Sequence, residues 1–200
     1  KYKNMIFAFI GLIVLVIGLL GYRVSPFTGH YAGTFRLAGI GIFIFGLLTA
    51  SIKQIDAGTV GVQSLFGKVD NRILESGLNV INPLVNVTNF DIKTQNYTMS
   101  GIHDEGDKEG DDAIRVLSAD GLEVIVDLTA LYRVIPTEAP RLYKEIGTDY
   151  RNVIVRPITR TKIRDNAVYY DAVALYSTKR DEFQDRIFNS IAKNFKERGL

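Results

Sequence analysis

The chain has 200 residues, 46% hydrophobic and 23% charged, which sets it apart from disordered and fibrous sequences. Its charge is unevenly split: Lys1, Lys3, Arg23, Arg36 and Lys53 make residues 1–53 purely basic, so 24 − 5 = 19 basic side chains face all 22 acids beyond, a net of −3. That weakly acidic remainder argues against nucleic acid, which requires a concentrated basic surface, while the lack of Cys excludes disulfides and thiolate ligands and two His leave little for zinc.

Between Lys3 and Arg23, "NMIFAFIGLIVLVIGLLGY" runs 19 residues without charge. At about 1.5 Å per residue this approaches the ~30 Å of a hydrocarbon core, and it predicts a transmembrane helix over 4–22. A cleaved signal peptide also starts basic and apolar, but no small-x-small site follows and a second apolar run does. That run, "LAGIGIFIFGLLTASI" at 37–52, has 16 residues. It either spans with Arg36 and Lys53 snorkelling to the two surfaces or dips in and returns. Glycines at 11, 18, 21, 39, 41 and 46, with Ala8 and Ala38, suit a closely packed helical hairpin. Pro26, Gly29 and Gly33 break the connecting loop, where His30 reads as a polar loop residue. Arg23 and Arg36 on the loop side are outnumbered by Lys1, Lys3, Lys53 and Lys68 on the other. With two spans, the rest of the chain then faces the cytoplasm; with one span and a dip it lies on the far side.

After Lys53 the pattern becomes that of strands. In "GTVGVQSLFGKV", Val60, Val62 and Phe66 share one face and Gly67-Lys68 supplies a turn. Ser76-Gly77 and Asn82-Pro83 mark further turns among β-formers. "HDEGDKEGDDA" at 103–113 holds six acids against one Lys. Its spacing does not match a calcium loop, so it reads as a solvated, disordered connection. Ala119-Asp120-Gly121 makes a hairpin turn into a long strand whose inward positions run from Val124 to Val134, ended by Pro136.

From Thr137 the period changes to that of helices. Thr137 is the expected N-cap of "TEAPRLYKEIG" and Gly147 its C′ residue. The next helix, from Thr148 or Asp149 to Tyr170, carries Pro157 and is expected to kink there. Ser177 or Thr178 caps a last helix with Phe183, Ile187, Phe188, Ile191, Ala192 and Phe195 as its apolar stripe and Glu182-Arg186 as an exposed pair. The fold class is therefore α+β: a transmembrane helical hairpin over 1–53, then one domain over 54–200 with antiparallel strands covered by helices.

No nucleophile elbow, phosphate loop or H-E-x-x-H is present. A hydrolase would have to work from Ser, Asp and Glu alone or with His103, so no enzyme, cofactor or metal is expected. Arg156, Arg160 and Arg164 recur every four residues and form one basic stripe. Three readings compete for it: a solvated face, a surface for anionic lipid heads, or donors to acids on a neighbouring subunit. Tyr143, Tyr150, Tyr169, Tyr170 and Tyr176 read as packing residues with a hydroxyl at the edge.

In order, "AGTVGVQSLFGKV", "ESGLNVINPL", "SADGLEVIVDLTALYRVIPTEAPRLYKEIGTDY", "VRPITRTKIRD" and "LYSTKRDEFQDRI" resemble the SPFH, or band 7, superfamily, in wording nearest its prohibitin branch. The resemblance implies a non-enzymatic scaffold whose domains lie on a membrane and assemble into rings or cages, as homo-oligomers or with a related SPFH protein. It further implies organisation of a membrane microdomain and, in the prohibitin branch, enclosure and restraint of a membrane AAA protease. Family members continue past the position of "KERGL" into a strand and a coiled coil, an element that the chain to Leu200 does not contain. A membrane-surface module that binds lipid or another ligand without forming cages is the alternative.

Overall fold

The computed structural model describes residues 6–24, 32–103 and 105–200. Lys1, Lys3, Pro26, Gly29, His30 and Asp104 lie outside the described residues. Two apolar helices come first, α1 over Ile6–Val24 and α2 over Ala32–Ser51, against the expected 4–22 and 37–52. The second helix thus takes in Arg36, and its 20 residues rise about 30 Å, enough for a bilayer core. An Arg near a helix end leaves the backbone bonds intact, and its long stem can carry the charge toward the surface. Among the described residues, Gly33–Ser51 is the helical segment long and apolar enough to cross a membrane, and Ile6–Ile17 is a shorter apolar run.

The two helices meet backbone to backbone at glycine. A Cβ on Gly39 would lie 2.6 Å from the Leu15 nitrogen, and Cβ atoms on Gly11 and Gly46 would strike the backbones of Phe43 and Ala8. Such contacts give helices in lipid the close packing that water-driven burial supplies elsewhere. Their outer faces stay apolar, with Phe9, Ile13, Leu37, Phe45 and Leu48 exposed. The hydroxyls of Thr49 and Ser51 donate back to the Phe45 and Leu47 carbonyls, so neither is left unpaired.

Nine strands follow among the described residues: β1 (Ile52–Ile55), β2 (Thr59–Leu65), β3 (Lys68–Leu74), β4 (Gly77–Val80), β5 (Asn86–Asp91), β6 (Gln95–Met99), β7 (Ile114–Leu117), β8 (Glu123–Val126) and β9 (Leu128–Tyr132). All pair antiparallel, as a β3-β2-β5 sheet and the two-stranded ribbons β1-β4, β6-β9 and β7-β8. α2 passes straight into β1, Ile52 opposes Val80, and the Ile81 N–H donates to the Ser51 carbonyl at 2.8 Å. The expected long strand is interrupted at Asp127, whose carboxylate accepts the Gly101 N–H, so β8 pairs with β7 and β9 with β6.

Val60 and Val62 are buried as expected, but Phe66 is 89% exposed. It stands in a two-residue hairpin turn, with Leu65 opposite Lys68 and positive φ at both Phe66 (48°) and Gly67 (88°). Turns of this kind match the twist of paired strands yet disfavour a side chain at positive φ, so Phe66 is out of the sheet's facial alternation altogether.

The helical half contains α3 (Ala139–Glu145), α4 (Arg156–Ala167), α5 (Ala172–Tyr176) and α6 (Arg180–Glu197). Thr137 is no cap: it lies in a 3₁₀ turn over Pro136–Glu138 that leads into α3. Gly147 does close that helix at φ 90°, its N–H reaching Tyr143 and Leu142 carbonyls. The expected kink at Pro157 takes the form of a π-helical turn over Arg151–Val155, after which α4 starts with Pro157 in its first turn. The ring cannot donate to the carbonyl four residues back and would clash with it, and a widened turn avoids both. The N-cap of α6 is Lys179, without a side-chain cap bond, rather than Ser177 or Thr178. Phe183, Ile187 and Phe195 are buried, whereas Phe188 is exposed. Strand and helix residues share one core that includes Val62, Phe90, Met99, Ile114, Leu142, Ile163 and Phe195.

The glycine contact makes a prediction. Gly39→Leu in the detergent-solubilised chain should destabilise the hairpin by about 2 kcal/mol through overpacking and lower its Tm, while Gly41→Leu, where nothing lies within 4 Å, should not. Equal Tm values for the two variants would show that the helices are not held by this contact.

Candidate functional site: an arginine clasp and an apolar edge

The three arginines of the stripe lie along α4, at right reach of the chain that enters β7. Arg156 binds Asp112 through Nη2 to Oδ1 at 2.5 Å and Nε to Oδ2 at 3.3 Å. Arg160 binds the same Oδ1 at 2.7 Å and also the Asp112 and Ala113 carbonyls at 3.1 and 3.3 Å. Among the described residues Arg164 donates only to the Arg115 carbonyl, at 3.4 Å, and it is exposed. The Asp112 side chain is 6% exposed, that of Arg160 19% and that of Arg156 27%. The stripe therefore divides: two members serve an acid of their own domain and the third faces outward.

Burial alone would raise the Asp112 carboxyl, but the Arg156 hydrogen bond and the charges of Arg156 and Arg160 outweigh it and hold the group below its usual range. A carboxylate this buried, left with no cation, would carry a large desolvation cost. Burial also pushes the Tyr97 hydroxyl up, with Asp112 and Asp107 adding to the effect against Arg156 and Arg151.

The acidic segment is accordingly not a free loop. The Asp107 N–H donates to the Thr98 carbonyl, its carboxylate accepts the Thr98 N–H at 2.6 Å, and Arg151 grips it at 2.6 Å. Asp111 pairs with Arg115 at 2.7 Å. In the sequence the acids of one segment and the arginines of another look unrelated because about 45 residues separate them; their complementary charge is the available signal. Among the described residues no group of three His, Asp or Glu side chains is placed to hold a metal ion. The tyrosines divide as well: Tyr150 and Tyr170 are buried, while Tyr169 and Tyr176 are exposed, Tyr169 lying 4.3 Å beneath the Arg186 guanidinium. Glu182 and Arg186 do not pair; they bind the Tyr170 hydroxyl and Asn166 respectively.

A second feature gathers near the end of α2. The β1-β4 ribbon presents Ile52, Leu78 and Val80 to solvent, at 51%, 77% and 85% exposure, and Leu84 follows in the next turn. That turn closes with the Val85 N–H on the Asn82 carbonyl, and Asn86 then pairs with Ser64, beside the hairpin tip at Phe66. Exposed apolar side chains thus continue from the helix end to the tip.

An apolar helix long enough to cross a membrane, joined directly to an α+β domain with an apolar edge, is the architecture of a membrane-associated protein. Sequence comparison agrees: residues 53–200 match the SPFH domain / Band 7 family, and the chain belongs to that family, which is generally non-enzymatic. No curated protein matches the chain.

The clasp makes the second prediction. Asp112→Ala should cost about 3 kcal/mol at neutral pH, because two partly buried arginines lose their acid; Arg160→Glu should also destabilise the domain itself. A carboxyl with a lowered folded-state pKa contributes stability that is fully present above its unfolded value, near 3.9, and is lost as pH falls below it through the folded value. Acid unfolding should therefore be shallower in Asp112→Asn than in the parent chain. Parallel acid limbs would show that the clasp contributes nothing.

Proposed function

We propose that the protein is a membrane-anchored scaffold of the prohibitin type, with residues 1–53 as a two-span anchor and 54–200 as the SPFH domain. Copies assemble, alone or with a related SPFH protein, into a large ring or cage that organises a membrane microdomain and encloses and restrains a membrane AAA protease. The observation that carries this reading is the junction at Ser51-Ile52. A helix that continues into a sheet, with a cross-bond from Ile81, gives every copy the same height and tilt on the membrane. The domain lies on the cytoplasmic side, from the balance of Lys and Arg, which protease access to a tag at residue 105 in sealed vesicles would check. Of the basic stripe, Arg164 is the member available to a neighbouring subunit, since Arg156 and Arg160 hold Asp112.

Extraction of the whole protein in mild detergent should release particles of many subunits, and Arg164→Glu should shrink them while leaving the unfolding curve of the domain unchanged. A monomer or dimer from the parent chain would sink the cage.

A second reading, a lipid-binding module that works without cages, is favoured by the apolar edge running from Ile52 to Phe66. The chain has no Trp, so Phe66→Trp provides a single reporter. In reconstituted vesicles its fluorescence should be quenched by brominated acyl chains; a Trp that stays unquenched would place the tip in water.

A further inference from the structure

Beside the hairpin tip lies an open groove of about 490 Å³. Leu65, Val69 and Val85 supply its apolar walls, Gln63 a polar one, and Lys68 and Lys144 its cations. Both lysines are exposed, and neither makes an ion pair with any described residue. The one acid in the lining, Asp70, is held by Arg72 at 3.3 Å. The lysines come from different elements, Lys68 from the start of β3 and Lys144 from the last turn of α3.

We propose that this groove binds an anionic phospholipid of the leaflet that receives the end of α2, its phosphate between Lys68 and Lys144 and the base of its acyl chain on Leu65, Val69 and Val85. The proposal rests on the membrane-apposed edge described for the second reading and adds a site and a ligand class to it.

Three observations select a lipid over a peptide or a soluble metabolite. The first is position. Ile81 is hydrogen-bonded to Ser51, and the tight turn Asn82–Val85 brings the Val85 wall back to within roughly 15 Å of the helix end. The headgroup layer extends about 5–7 Å past the hydrocarbon, and lysine stems snorkel across part of the rest. The second is chemistry. Apolar walls next to unpaired ammonium groups match an amphiphile whose charge adjoins its chain, whereas a free phosphate would leave the walls wetted. The third is continuity: Phe66, 89% exposed, stands in the hairpin turn between Leu65 and Lys68, both of which line the groove. The stripe reading of lipid contact is thereby relocated, since two of its three arginines bind Asp112.

The test is the acetylation rate of individual lysines in the whole chain, held in nanodiscs of phosphatidylglycerol or of phosphatidylcholine and read by mass spectrometry. Lys68 and Lys144 should react about fivefold more slowly in phosphatidylglycerol, the effect of about 1 kcal/mol per lysine near an anionic lipid surface, while Lys193 and Lys196 on α6 keep one rate in both. Inorganic phosphate added to phosphatidylcholine discs should protect neither. Uniform slowing of all four lysines, no slowing of Lys68 and Lys144, or equal protection by inorganic phosphate would each overturn the groove. Phe66→Trp in the same discs separates the two failures. Quenching by brominated lipid with unprotected lysines removes the groove and leaves the apposed edge standing; loss of both removes the edge as well.

Discussion

The whole arrangement hangs on the absence of a linker between helix and sheet. Ser51 is the last residue of α2 and Ile52 the first of β1. A peptide without secondary structure at that point would let the domain swing freely. Instead, the Ser51 carbonyl, which a helix end would leave to water, takes the Ile81 N–H, and the β1-β4 register continues the ladder from there. Rotation of the domain about the helix would break that ladder. The tilt of α2 is set in turn by its contact with α1 at Gly11, Gly39 and Gly46, where no side chain intervenes. Orientation therefore passes from the helix pair to the ribbon with few soft joints.

Within the domain, the strand half and the helix half are held together by charge as well as by the shared core. Asp112 enters just before β7, and Arg156 and Arg160 come from the first two turns of α4. Because the carboxylate is buried, sliding the halves past each other would leave it desolvated and without its cations, so the pair resists sliding in particular. Asp107 and Arg151 repeat the device one turn earlier, at the π-helical segment. The C-terminal end adds a third tie, the Ile135 N–H donating to the Gly199 carbonyl.

What could be read from the sequence was periodic or local. Val60 and Val62 alternate, Phe183 and Ile187 recur at helical spacing, and Gly147 and Gly67 occupy backbone positions that few other residues accept; each of these signals survives in the structure. What escaped depended on pairing across distance or on geometry within a turn. An acidic segment seen alone looks solvated, and an arginine stripe seen alone looks like a surface; only folding brings Asp112 to Arg156. Alternation misplaces Phe66 because it assumes that a strand continues, and the turn that ends it begins one residue before the glycine that signals it. Pro157 was located correctly as a disruption, yet its form, a widened turn before the proline, depends on the carbonyl that the ring must avoid.

A phenylalanine at positive φ in a two-residue turn is costly to the isolated fold, where Asn or Gly would be favoured. Its ring packs on nothing in the domain, so folding gains nothing in return. An apolar phase against the exposed ring would offset that cost, and it would equally cover Leu78 and Val80 on the ribbon. In the assembly proposed here, such contacts would act with the rigid junction rather than in addition to it. A ring closes only when each subunit repeats one rotation, and small errors in tilt accumulate around it. A helix pair fixes one line through each subunit, and an apolar edge lying on the membrane beside it fixes the remaining rotation about that line. Two supports are the fewest that leave a membrane domain one orientation in which to meet its neighbour.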